Sequence, residues 1–163
     1  MNRIVALCST ALISSALLLA MPVDVHAQGA QQDIDDGRAM VRAGFRGLIR
    51  EEIPMTEQES AAFWPVYDEY ERAVTTIMDR YSALITDYVD RFDKGEMSND
   101  YAEQLLNEYF AIRQELLDVR RAFIPKFKAV LPSLMVARLY QLENKVNAEI
   151  EIQLALAIPL ISE

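Results

Sequence analysis

Residues 80–110 read RYSALITDYVDRFDKGEMSNDYAEQLLNEYF. Apolar residues recur at alternating steps of four and three on both sides of DKGEMSND (93–100), where the pattern breaks. Backward from the break, Tyr88, Leu84, Tyr81, Ile77, Val74, Tyr70, Tyr67 and Phe63 keep that alternation without a miss. Forward from it, Ala102, Leu105, Tyr109, Ile112, Leu116, Val119 and Phe123 do the same, then slip slightly to Phe127 and Val130. Such a period draws one apolar seam along a helix and calls for a second helix to cover it. Gly95 suits a helix C-cap, and Ser98 or Asp100 can cap the helix that follows. Two seams joined by a short turn predict an antiparallel helical hairpin over 57–92 and 99–131. A turn centred on Gly95 sets Tyr67 against Phe123, Val74 against Leu116 and Tyr81 against Tyr109.

The flanks extend the all-α reading. Thr56 and Glu59 form a capping-box pair, so the first long helix starts at Glu57. Pro54 ends a weaker helix over 33–52, whose Val41, Phe45 and Leu48 are helically spaced but diluted by Gly37, Gly44 and Gly47. Residues 28–32 read as a disordered leader. Pro132 ends the second seam, and Ser133 is expected to cap a last helix over 133–158 carrying Met135, Leu139, Leu142, Val146 and Ile150. Burial along one seam does not offset the entropy of ordering a hairpin this long. The first and last helices must therefore pack on it, or two chains must pair. Pro65 and Pro125 fall at the same level of the hairpin, which predicts either a shared bend or two local kinks.

The chain begins MNR, continues with an apolar run, and reaches Val25-His26-Ala27 before the polar QGAQQD. This reads as a secretory signal peptide, residues 1–27, cut after Ala27, and implies a periplasmic address for a single helical domain, 28–163. The single cysteine, Cys8, and the single histidine, His26, both lie within it. The remaining chain has neither, which excludes disulfides, thiolate nucleophiles, Ser-His-Asp triads and the usual zinc sites. No catalytic residue, metal site or cofactor is expected.

The formal charge of −9 argues against nucleic acid. It is unevenly spread: 17 acids and 5 bases from Glu51 to Asp118, then Arg120, Arg121, Lys126, Lys128 and Arg138 with no acid between them. Arg38, Arg42, Arg46 and Arg50 recur every fourth residue. They read either as partners of the acidic hairpin or as a charged rim for another protein; a membrane surface fits less well, given three glycines and the acid balance. The tyrosines of the first seam, among them Tyr67, Tyr70 and Tyr81, read either as a core whose hydroxyls reach the rim or as a partly wet groove. Trp64, Tyr67, Tyr70 and Tyr81, with Arg42, Arg46 and Arg50 around them, are the candidate residues for binding a client or partner protein.

With Met55-Thr56-Glu57-Gln58-Glu59 opening the long helix and Leu131-Pro132-Ser133-Leu134-Met135 opening the last, the chain resembles the Spy/CpxP-like periplasmic proteins. Their hallmark is Leu-Thr-x-x-Gln at these two points. The first copy here keeps the Thr, and the second keeps only the Leu. The resemblance implies a long bent hairpin, an antiparallel homodimer shaped like a shallow cradle, and ATP-independent chaperone or envelope-stress activity. The metal-sensing relatives use histidines, which this chain lacks, so that activity is not carried over. The expectation is a periplasmic, holdase-like protein-binding chain. The alternative is a dedicated structural or regulatory subunit for one partner.

Overall fold

A computed structural model describes residues 41–161, all-α and without a strand among them. The expected signal peptide, the leader, Arg38 and the start of the first helix lie outside the described residues. The described residues fall into two units, 41–44 and 45–161, and every contact below lies within the second.

Residues 41–52 are helical (α1). The longest helix, α2, spans Glu57–Lys94, 38 residues. Its start is the capping box read from the sequence: the Glu59 amide donates to Thr56 Oγ1 (3.2 Å), and the Thr56 amide donates to the Glu59 carboxylate (2.8 Å). Its end is equally explicit. Gly95 sits at φ 70°, a left-handed position that only glycine takes at no steric cost. From there the Gly95 and Glu96 amides reach back to the carbonyls of Phe92 (3.1 Å) and Arg91 (2.9 Å). This paired closure turns the chain. Ser98 then caps α3, Asn99–Lys128, by accepting from the Tyr101 amide (3.2 Å).

α3 stops short of the expected residue 131. Pro132 pushes Leu131 out of helical geometry, and the end tightens as the Val130 amide bonds Phe127 O (3.1 Å). α4 spans Ser133–Ala157. Ser133, expected as its cap, is instead its first helical residue. Pro132 holds the cap position at φ −56°, ψ 145°, and no side chain closes the end. Both long helices run unbroken through their prolines. Neither proline has an N–H, so the carbonyls of Ala61 and Arg121 lose their usual helical donors.

The hairpin register agrees with the sequence reading. Tyr81 and Tyr109 lie 6.2 Å apart and Phe63 and Phe127 5.7 Å apart, ring centre to ring centre. Val74 packs against the cluster of Ile77, Ile112 and Leu116, and Tyr67 and Phe123 share the larger core. Arg80 spans the arms to Glu108 (2.8 Å) and Glu115. α4 returns antiparallel to α3, tied by Arg120–Glu143 (3.0 Å) and Arg113–Glu151 (2.7 Å). It therefore runs parallel to α2, as the bonds from Tyr70 to Glu143 and from Tyr88 to Pro159 require. Residues 45–52 of α1 lie over the end of the hairpin away from the turn. There Ile49 and Ile53 are fully buried, and Glu52 bonds Arg138 (2.6 Å).

The core is lopsided. At the α1 end, Ile49, Ile53, Phe63, Tyr67, Tyr70, Phe123, Phe127, Leu131, Val136 and Leu139 form one cluster. Toward Gly95 the buried set thins to Ile77, Ile112 and Leu116, with Tyr88 and Tyr101 beyond them.

Candidate functional site

The arginines at the α1 end meet an aromatic corner. Arg46 donates to Asp68 (2.7 Å) and twice to Glu71 (2.6 and 3.1 Å), and lies over the rings of Trp64 and Tyr67 at 5.5 and 5.3 Å. Those carboxylates push its pKa higher still, so it is a fixed cation that staples α1 to α2. Of the two readings of the arginine row, Arg46 takes the pairing one. Arg50 is exposed and rests 4.6 Å above the Trp64 ring. Arg42 belongs to the other compact unit and is partly exposed there. Trp64 donates its indole N–H to Ser60 (3.1 Å). Beside it lies an open depression of about 610 Å³ lined by Met55, Ala61, Trp64, Pro65 and Asp68.

The tyrosines divide. Tyr67 and Tyr70 are each 3% exposed and belong to the core. The Tyr70 hydroxyl donates to Glu143 (2.7 Å), which also accepts from Arg120. The Tyr140 hydroxyl donates to the Arg120 carbonyl (2.8 Å). α2, α3 and α4 are thus pinned through one polar cluster, and burial raises the pKa of Tyr70 and Tyr67 and pushes Tyr140 up to about 12. Tyr81 is only partly buried and stands in the hairpin's thinner half.

The thinner half has its own polar detail. Tyr88 donates to the carbonyl of Pro159 (2.7 Å), where the chain past α4 has become extended. Tyr101 is 7% exposed, with the Asp87 carboxylate beside its hydroxyl. Burial, then the nearby Asp87 carboxylate, pushes it up to about 12.

One surface was missed in the sequence. Leu106, Phe110, Leu117 and Ile124 are 57%, 63%, 41% and 39% exposed and lie on one stripe of α3, beside the buried seam. Helical geometry places Glu103, Arg113, Arg121 and Lys128 on the same stripe. The signal was present as doublets: Leu105-Leu106, Tyr109-Phe110, Leu116-Leu117 and Phe123-Ile124. The first of each pair faces α2, and the second extends the apolar face beyond what α2 covers.

Among the described residues no group of acids could hold a metal ion, and no helix is long and apolar enough to cross a membrane. Fold and surface together define an all-α helical hairpin with an uncovered apolar stripe. Compared with protein-family models, with curated proteins and with solved structures, the chain matches none.

Proposed function

We propose that this chain is an exported, ATP-independent protein-binding hairpin, a holdase-like chaperone or envelope-stress accessory that takes up exposed apolar segments of other proteins. The observation that carries the reading is the exposed α3 row of Leu106, Phe110, Leu117 and Ile124. A row of large apolar side chains at helical spacing, left open to water, is the usual mark of a protein-binding face. Charges at its margins hasten encounter and leave the bound state weak enough to release. The Spy/CpxP-like resemblance supports the same reading, as does a signal peptide cut after Ala27, which predicts an exported protein whose mass begins at Gln28. Trp64 and Arg50 form a second exposed contact point at the α1 end.

A dedicated partner is the second reading, and the order of charges on α3 favours it. The stripe is acidic at one end, with Glu103, and basic at the other, with Arg121 and Lys128. A second copy laid antiparallel along this stripe would set acid against base. The test is suppression of aggregation of several unrelated unfolding proteins at near-stoichiometric amounts, with Phe110→Glu and Leu117→Glu beside the parent. A chaperone suppresses all of them and the variants suppress none. A dedicated subunit suppresses none even as the parent, and if its partner is itself, the variants change its sedimentation from dimer to monomer.

A further inference from the structure

Residues 150–160 read IEIQLALAIPL. Ile150, Ile152, Leu154, Leu156, Ile158 and Leu160 alternate with other residues at a strict step of two, the period of a strand. The segment is nevertheless helical to Ala157. A step of two walks around a helix, so the apolar side chains cannot share one face. Leu154, Ile158 and Pro159 are partly covered, while Ile152, Leu156 and Leu160 are 54%, 79% and 89% exposed. No basic residue or glycine closes the helix. Most interhelical contact lies between α2 and α3 rather than with α4.

What holds the segment is local. Arg113 pairs with Glu151 at the surface, and Tyr88 holds the Pro159 carbonyl. The register set by Tyr70–Glu143 and Tyr88–Pro159 places Leu154 level with Tyr81. The register set by Arg120–Glu143 and Arg113–Glu151 places it level with Tyr109. The segment thus overlies the thin half of the hairpin, where Tyr81, Leu84, Tyr88 and Tyr109 line the arms.

We propose that this distal tyrosine face is a binding site for an apolar, weakly charged segment of an unfolded protein, and that residues 150–161 are its resident occupant, displaced when such a segment arrives. The occupant shows what this face accepts: scattered apolar side chains, a stretch that leaves the helix at Ile158, and a main-chain carbonyl for a tyrosine hydroxyl. An unfolded chain offers the same three things. The inference deepens the reading given under Proposed function and rests on it for the identity of the client.

The test uses the full chain, a chain ending at Ala148, and a full-length L154E/I158E double variant that unseats the segment without shortening the protein. The probes are a reduced, carboxymethylated unfolded protein and a synthetic peptide of residues 149–163. If the segment is seated about nine-tenths of the time, removing or unseating it tightens unfolded-protein binding about tenfold. The peptide then binds the shortened chain, competes with the unfolded protein there, and binds the full chain far less. Equal affinity of all three chains for the unfolded protein, with no binding of the peptide, overturns the proposal while leaving the wider function standing. Peptide binding without unfolded-protein binding to any chain overturns the client reading and keeps only the seated segment. Should the shortened chain fail to fold, the double variant decides alone by its affinity.

Discussion

Replacing Arg120 with Met is the sharpest probe of how the third long helix is held. The Glu143 side chain is 12% exposed and accepts from Arg120 and from Tyr70. Methionine keeps most of the apolar stem and removes the guanidinium. The Tyr140 bond survives, because it goes to the main-chain carbonyl of residue 120. Glu143 is then a poorly hydrated anion with one phenol donor. Breaking a buried ion pair costs roughly 3–5 kcal/mol. Arg120 retains 31% exposure, and water screens part of the pair, so the expected loss is about 2–3 kcal/mol. For a domain of this size that lowers Tm by roughly 6–10 °C. Urea unfolding followed by circular dichroism reads the loss as a shift in midpoint with an unchanged slope. The triple variant R120M/E143L/Y70F removes donors and acceptors together and should return to within about 1 kcal/mol of the parent. A single variant within about 0.5 kcal/mol of the parent would refute the reasoning, because Glu143 would then be solvated well enough to need no cation.

Three further outcomes are expected. Phe63→Ala empties the centre of the aromatic cluster, where Phe63 is fully buried against Trp64, Tyr67 and Phe127, and should cost about 3–5 kcal/mol in the same unfolding assay. Gly95→Ala meets no neighbouring atom within 4 Å, so its cost is the left-handed backbone alone, about 1 kcal/mol, seen as a Tm lowered by a few degrees. The buried phenols set an alkaline limit. Tyr67, Tyr70 and Tyr140 titrate above the ordinary tyrosine value in the folded chain, so above about pH 10 the unfolded state sheds protons that the folded state keeps. Stability from these groups is complete below pH 10 and falls above it by up to about 1.4 kcal/mol per pH unit per phenol. Urea midpoints measured from pH 8 to 11, with absorbance at the phenolate band, would show this; a midpoint unchanged to pH 11 would contradict it.

The hairpin was legible because two independent signals agreed on it. The seam from Phe63 to Tyr88 keeps its period without a miss, and Gly95 with Ser98 supplies both caps of one turn. The register followed from the turn alone, and Tyr81 against Tyr109 agrees with it. The helix ends around Pro132 were harder, since a proline both stops the helix before it and occupies the cap of the helix after it. The fate of single side chains was not legible. Tyr67 and Tyr81 sit on the same seam with the same chemistry. Only the return of α1 over one end of the hairpin makes the first a core residue and leaves the second half-open. Arg46 and Arg50 differ likewise: one finds Asp68 and Glu71 within reach, and the other lies one turn further on, over Trp64. The outer row of α3 was written in the doublets, but a search for one seam per helix takes the first member of each and passes over the second.

The uneven core carries a mechanical consequence. Where α1 closes over the aromatic cluster, parting the two long arms means undoing nearly everything that orders the chain. Near Gly95 it means separating a smaller set, Ile77, Tyr88, Tyr101, Ile112 and Leu116, and such local openings cost less than global unfolding. The turn at Gly95 ties the arms together at that end, so the distal half can breathe between two fastenings, the turn and the aromatic cluster, while both stay shut.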